Sequence, residues 1–122
     1  MKKWTYLCLL TLVATLGLAT AVAADSGTWT GEVVDLACYV ANGDGGKGTD
    51  HAGCAKSCLK AGQPMGLLTD DGTLVLLAAD HKNGEAYETL KELAGQKAEV
   101  SGNLAERNGV NVVTVTESKK AS

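Results

Sequence analysis

The stretch MGLLTDDGTLVLLAADHKNGEAYETLKELAGQKAEVSGNL, residues 65–104, decides the fold. It opens with two apolar runs rich in Leu and Val that flank Asp70-Asp71-Gly72. Asp followed by Gly is typical of the tight turn of a hairpin, because Gly tolerates the left-handed backbone that such turns require. Adjacent strands are therefore predicted over 65–69 and 73–79.

The second half of this stretch predicts a helix and a further strand. In EAYETLKELAG, residues 85–95, the apolar residues recur at helical spacing, Asn83 can cap the start and Gly95 ends the pattern. Alternation with period two then returns over 97–104, which indicates a strand with one buried face.

Two more strands flank this region. Residues 28–36 (TWTGEVVDL) are rich in β-branched and aromatic side chains and predict a first strand. Residues 110–117 alternate with period two, and the Asn108-Gly109 pair before them predicts a second hairpin. Residues 118–122 are expected to be a frayed tail.

An insertion separates the first two strands. Residues 41–50 (ANGDGGKGTD) contain four glycines and no bulky apolar side chain, so a mobile loop is predicted there. Asp50 can cap a short helix over 51–61, which Gly62 ends.

The fold class follows from this order of elements. Five strands with a helix between the third and fourth are typical of the OB fold, a small partly open barrel. We therefore predict a mainly β domain: a five-stranded OB-like barrel with two short helices, one in a loop-helix insertion between strands 1 and 2. The alternative is an open antiparallel α+β sheet, because register and barrel closure are not visible in the sequence.

Residues 1–24 have the pattern of a secretory signal peptide. A basic start at Lys2-Lys3 precedes an apolar run from Leu7 to Leu18 and the small residues 21–24. The run is shorter than the roughly 20 residues of a membrane-spanning helix. Cleavage after Ala24 is expected to remove Cys8 and to leave one domain, 25–122, in the periplasm or outside the cell, with no membrane attachment.

The charge of this mature chain excludes some partners. Loss of two lysines leaves nine basic against 14 acidic residues and changes the net charge from −3 to −5. Nucleic acids and anionic lipids favour dense Lys and Arg, so neither is predicted as a partner. An unidentified periplasmic protein remains a possible partner class.

The residues with the strongest chemical signal are cysteine and histidine. On a helix, His51, Cys54 and Cys58 share one face, since they stand at offsets of 0, 3 and 7 residues. Cys38 follows the first strand, and the glycine-rich connection can bring it to that face. Thiolates and imidazole are ligands for Zn(II), and thiolates bind Cu(I). A site of these four residues is predicted, with Asp35 as an accessory ligand.

The same cysteines allow other interpretations. Cys38 can form a disulfide with Cys54 or Cys58 and leave one spare thiol, which would staple a small exported domain. A Cys54–Cys58 disulfide is disfavoured, because a regular helix holds residues i and i+4 poorly for one. Thiol redox or Cys-His hydrolytic chemistry lacks a CxxC motif and a second orienting group, so the sequence favours a non-enzymatic protein and indicates no catalytic residue.

The sequence also resembles a known family at the level of motifs. The matching patterns are G-x-V-x-D-x-x-C from Gly31 to Cys38, H-x-x-C-A-x-x-C from His51 to Cys58, G-x-P-x-G-L-L from Gly62 to Leu68, and a closing V-x-G…G-V-x-V. Together they resemble a family of uncharacterised small exported bacterial domains with an OB-like barrel. The resemblance implies export and one shared group made of Asp35, Cys38, His51, Cys54 and Cys58, and it implies no reaction.

The sequence therefore favours an exported domain that binds Zn or Cu through a Cys/His cluster. The alternative is a disulfide-stapled structural or partner-binding module with one spare thiol.

Overall fold

The structure is a computed structural model that describes residues 25–122. The predicted signal peptide, with Cys8, lies outside the described residues. The strands are β1 (Asp25–Asp35), β2 (Met65–Thr69), β3 (Leu74–Ala79), β4 (Lys97–Arg107) and β5 (Val110–Lys120). The helices are α1 (Leu36–Asn42), α2 (Ala52–Lys60) and α3 (Glu85–Lys91). No helix within 25–122 has the length and apolar character needed to span a membrane.

The five strands form a closed barrel in the order β1-β2-β3-β5-β4. The β3–β5 pair is parallel and all other pairs are antiparallel. Strand β1 closes the barrel because it pairs with both β2 and β4, and Gly31 faces Thr69 on one side and Ala98 on the other. A side chain at Gly31 would collide with the backbone of Leu68. The predicted five-stranded barrel is confirmed, and the open-sheet alternative is wrong.

The barrel interior is the hydrophobic core. Its fully buried residues come from every strand, from α2 and from α3 and the turn that follows it. Helix α2 covers one end of the barrel by burying two side chains, Ala55 and Leu59. The core members larger than Ala are Val33, Leu59, Met65, Leu67, Val75, Leu77, Leu90, Val100, Val113 and Val115.

A third helix, α1, was not expected from the sequence. Strand β1 ends at Asp35 instead of Leu36, and the chain enters α1 directly. The segment predicted as a mobile loop over 41–50 is wrong in its first half, because α1 reaches Asn42 and a 3-10 turn follows over Gly43–Gly46. In the segment 41–50, a hydrogen bond takes the place of apolar packing: the Gly48 N–H donates to the Glu32 carboxylate.

Two smaller corrections concern chain ends and caps. The tail predicted to fray is strand up to Lys120, which pairs with Ala98, and the Ala121 N–H donates to the Lys97 carbonyl at 3.0 Å. Helix α3 begins after Gly84, not Asn83. The Asp80 carboxylate instead accepts hydrogen bonds from the backbone N–H groups of residues 82 and 83.

Candidate metal centre

Asp35 lies where β1 ends and α1 begins, and its carboxylate starts the helix. Its Oδ1 accepts hydrogen bonds from the backbone N–H groups of Ala37 at 3.0 Å and Cys38 at 3.2 Å. These groups lack partners within the helix, so an acidic side chain at this position is a favourable N-cap. The residue is only 1% exposed and is the one charged residue in the buried set of 25–122.

The second carboxylate oxygen of Asp35 has no such role. Within residues 25–122, Oδ2 is buried and has no hydrogen-bond partner. Asp35 also forms no ion pair in that part of the chain. A buried carboxylate oxygen without a partner is costly, because it has lost its water without a replacement.

Two thiols lie next to this carboxylate. An oxygen of Asp35, Cys38 Sγ and Cys58 Sγ all lie within 4.8 Å of one another. Cys38 is placed there by the capped start of α1, and Cys58 by α2, whose neighbouring residue Leu59 is anchored in the barrel core. The fold thus joins residues that are 20 or more positions apart in sequence.

The surroundings keep both thiols protonated in the absence of a cation. The neighbouring Asp35 carboxylate raises the pKa of Cys38 most, followed by burial. Burial, and then the neighbours Asp35 and Cys54, raise the pKa of Cys58 to about 11. Thiolates beside a buried carboxylate would repel it, so a bound cation is what would favour the deprotonated ligand forms.

The other two predicted ligands occupy different positions. Cys54 lies one turn before Cys58 on the same face of α2 and is exposed. It is outside the group whose ligand atoms meet within 4.8 Å, as is His51, the residue before α2. His51 Nε2 is buried and has no hydrogen-bond partner among residues 25–122.

The structure therefore changes which of the predicted ligands form the core of the site. It brings Asp35, Cys38 and Cys58 together, places Cys54 at the edge of this group and leaves His51 outside it. Asp35, which was expected to be an accessory ligand, is the most deeply buried member of the group. An Asp at the end of a predicted strand is also a favourable helix N-cap, and that signal could have predicted α1, whose first turn carries Cys38.

Comparison of the chain with models of protein families, with curated proteins and with solved structures finds no match. The fold and the group of donors are therefore the basis for a function. They define a small closed barrel with a cluster of one carboxylate and two free thiols at one end.

The capping role of Asp35 can be separated from its charge. We expect Asp35→Ala to be less stable than Asp35→Ser by about 1 kcal/mol, because Ser retains an oxygen that can accept from the helix N–H groups. Both variants lose the carboxylate, so the difference between them reports the cap. Urea unfolding of the reduced, metal-free protein measures it, and equal midpoints for the two variants would show that the cap contributes nothing.

Proposed function

We propose that this protein is an exported small domain that binds one transition-metal ion, Zn(II) or Cu(I), through its cysteine cluster. The single observation that supports this most is the meeting of a buried Asp35 oxygen with the half-buried Cys38 Sγ and Cys58 Sγ, all within 4.8 Å of one another. Cys54 and His51, which belong to the same predicted set, are the candidates for the remaining ligand position.

The negative charge of the cluster supports the binding of a cation. A buried carboxylate with a free oxygen and no ion-pair partner in residues 25–122 lacks a compensating charge. A divalent or thiophilic cation would supply it, and would lower the pKa of the two thiols so that both coordinate as thiolates. The protons released would pass to solvent.

The types of donor atom narrow the choice of metal ion. Zn(II) accepts oxygen, nitrogen and sulfur ligands in a tetrahedron, whereas Cu(I) prefers sulfur alone. In a tetrahedral zinc site with Zn–S bonds of about 2.3 Å, sulfur ligands lie about 3.8 Å apart. The present spread of up to 4.8 Å needs only a small inward movement of side chains. Asp35 therefore favours Zn(II), and the thiols alone would serve Cu(I).

The rest of the molecule fits a binding role better than catalysis. Neither thiol of the cluster is activated as a nucleophile, since the neighbouring Asp35 carboxylate and burial raise the pKa of both and His51 lies outside the group. Nucleic acid remains disfavoured by the acidic charge. We infer a metal-binding protein of the periplasm or the extracellular space, whose partner is the ion or another exported protein.

Metal content tests this proposal directly. We expect the mature protein, 25–122, purified without a histidine tag and reduced, to take up one Zn(II) per chain, as measured by elemental analysis after removal of free ion. Cys38 and Cys58 should also become slow to label when the ion is present, because coordinated thiolates are protected. A content below about a tenth of an ion per chain after loading would contradict it.

A disulfide-stapled module is the second candidate. The observation in its favour is the approach of Cys38 Sγ and Cys58 Sγ to within 4.8 Å, although all three cysteines are free in the structure. Such a bond would tie α1 to α2 and leave Cys54 as the spare thiol. After a chelator has removed any bound metal, intact mass under non-reducing conditions with thiol labelling distinguishes the two: one labelled thiol favours the staple, and three favour the metal site.

A further inference from the structure

The cysteine cluster has a gradient of exposure from outside to inside. Asp35 is buried, Cys38 and Cys58 are half-buried, and Cys54 is exposed. Cys54 and Cys58 are four residues apart on α2, so their side chains follow one another along one helix face. An ion that approaches from solvent therefore meets Cys54 before it can reach the buried carboxylate.

On the basis of the proposed metal site, we infer that Cys54 is the entry ligand, which captures the ion at the surface and transfers it to Cys58, Cys38 and Asp35. In this role Cys54 determines how fast the ion enters and leaves the site. Its effect on the equilibrium affinity is smaller. Its side chain lies one turn from that of Cys58 on the same helix face, yet outside the group of donors that meet within 4.8 Å. One ion can thus contact Cys54 and Cys58 before it moves inward.

The transfer is an exchange of ligands with no change of oxidation state. The Cys54 thiol loses its proton to solvent as its sulfur replaces one ligand of the incoming ion. The Cys58 and Cys38 thiols then each lose a proton to solvent as their sulfurs replace two more external ligands. The Asp35 carboxylate replaces Cys54, whose sulfur leaves the ion and takes up a proton from solvent. The same steps in reverse release the ion to an external chelator. A site with three protein ligands and one open position is of the exchangeable kind, in contrast to a closed structural site.

Charges on α2 leave this route open to a cation. Lys56 and Lys60 both form ion pairs with Glu92, at N–O distances of 3.2 Å and 2.5 Å. Lys56 is two residues from Cys54 and therefore about 200° away around the helix. The Glu92 carboxylate thus holds both lysines on the side that faces the end of α3. Their repulsion of an incoming cation is weakest on the face that carries the two cysteines.

Rapid mixing tests the entry role. Reduced mature protein is mixed with Zn(II) bound to a chromophoric chelator, the loss of chelator colour gives the uptake rate, and excess chelator gives the release rate. We expect Cys54→Ser to slow uptake and release together by about tenfold or more, while the dissociation constant changes by less than about threefold. Because Cys54 is exposed, this variant should fold as the wild type does.

Two control variants sharpen the result. Ser57→Ala removes an exposed hydroxyl from the same helix and should leave both rates unchanged. The double change Cys54→Ser with Gly53→Cys keeps the number of thiols but moves one about 100° around the helix from Cys54 and about 140° from Cys58, into open space, and it should remain slow. Fast exchange in Cys54→Ser, or in the double variant, would overturn the entry role.

Two further outcomes distinguish failure of the entry role of Cys54 from failure of the metal site itself. A dissociation constant about 30-fold weaker or more in Cys54→Ser, with uptake unchanged, would make Cys54 a resident ligand and overturn the inference while the metal site stands. No uptake by the wild-type protein would instead contradict the metal site itself, and the entry role with it.

Discussion

Mature protein carrying Cys58→Ser should bind Zn(II) about 100-fold more weakly than the wild type, or worse. Loss of groups that only support metal ligands typically costs 10- to 100-fold in affinity, and Cys58 is proposed as a ligand itself. Its sulfur is the contribution of α2 to the group that meets within 4.8 Å, whereas Asp35 and Cys38 both come from the junction of β1 and α1. Without it, the ion would be held by one short segment.

Competition with a chromophoric chelator measures this affinity, and circular dichroism verifies that the variant is folded. Ser57→Ala is the matched control, because it alters the adjacent position on α2 without removing a sulfur. Cys38→Ser should show a loss of similar size, since its sulfur belongs to the same group. An affinity of Cys58→Ser within threefold of the wild type would contradict the site.

Gly102→Ala should destabilise the protein more than the addition of a methyl group at any other position of the barrel wall. A Cβ at Gly102 would collide with the carbonyl oxygen of Thr114 and lie 2.9 Å from a methyl group of Val113. Gly102 is buried at the irregularity where the β4–β5 register shifts. Backbone cannot give way as a flexible side chain does, so we expect a loss of about 3 kcal/mol or more, at the upper end of overpacking effects.

Urea unfolding of the reduced, metal-free protein measures the loss, and failure to accumulate as folded protein is the extreme of the same effect. Gly45→Ala is the matched control: the nearest atom to its added Cβ is 3.9 Å away, and its backbone is not left-handed. We expect its midpoint to match the wild type. Equal stability of Gly102→Ala and Gly45→Ala would show that the barrel wall can move apart at this point.

Much of the fold was predictable because it depends on local signals. Asp71-Gly72 and Asn108-Gly109 fix two hairpin turns, and both glycines and Asn108 have the left-handed backbone that the turns require. Apolar runs beside the first turn predicted β2 and β3, and alternation with period two predicted β4 and β5, each of which extends three residues beyond its predicted end. These features depend on neighbours in the chain, so sequence alone contains them.

Helix α1 and the extended end of β5 were missed for opposite reasons. The residues of α1 are exposed or half-buried, so the helix has no apolar stripe and depends on the cap that Asp35 provides. The end of β5 is polar and contains no strand signal of its own. It is held by pairing with β4, for example Glu99 with Lys119 and Ala98 with Lys120, which involves residues about 20 positions away.

The candidate site was predictable in its residue types but not in its arrangement. Helical spacing correctly placed Cys54 and Cys58 on one face of α2. That spacing also suggested His51 as an equal ligand, yet His51 precedes the helix, with its side chain outside the group. Burial of Asp35 could not be read from a sequence in which an aspartate normally marks a turn.

The sequence by itself determined the order of the five strands and of helices α2 and α3, the acidic charge and the supply of three cysteines after the predicted leader. Local propensity and composition are sufficient for these, because each depends on residues close together in the chain. Only the tertiary structure decided that the barrel closes and that Asp35, rather than His51, meets Cys38 and Cys58. Both outcomes depend on how β1 pairs with two strands at once and how α2 packs on the barrel end, which are contacts between distant segments.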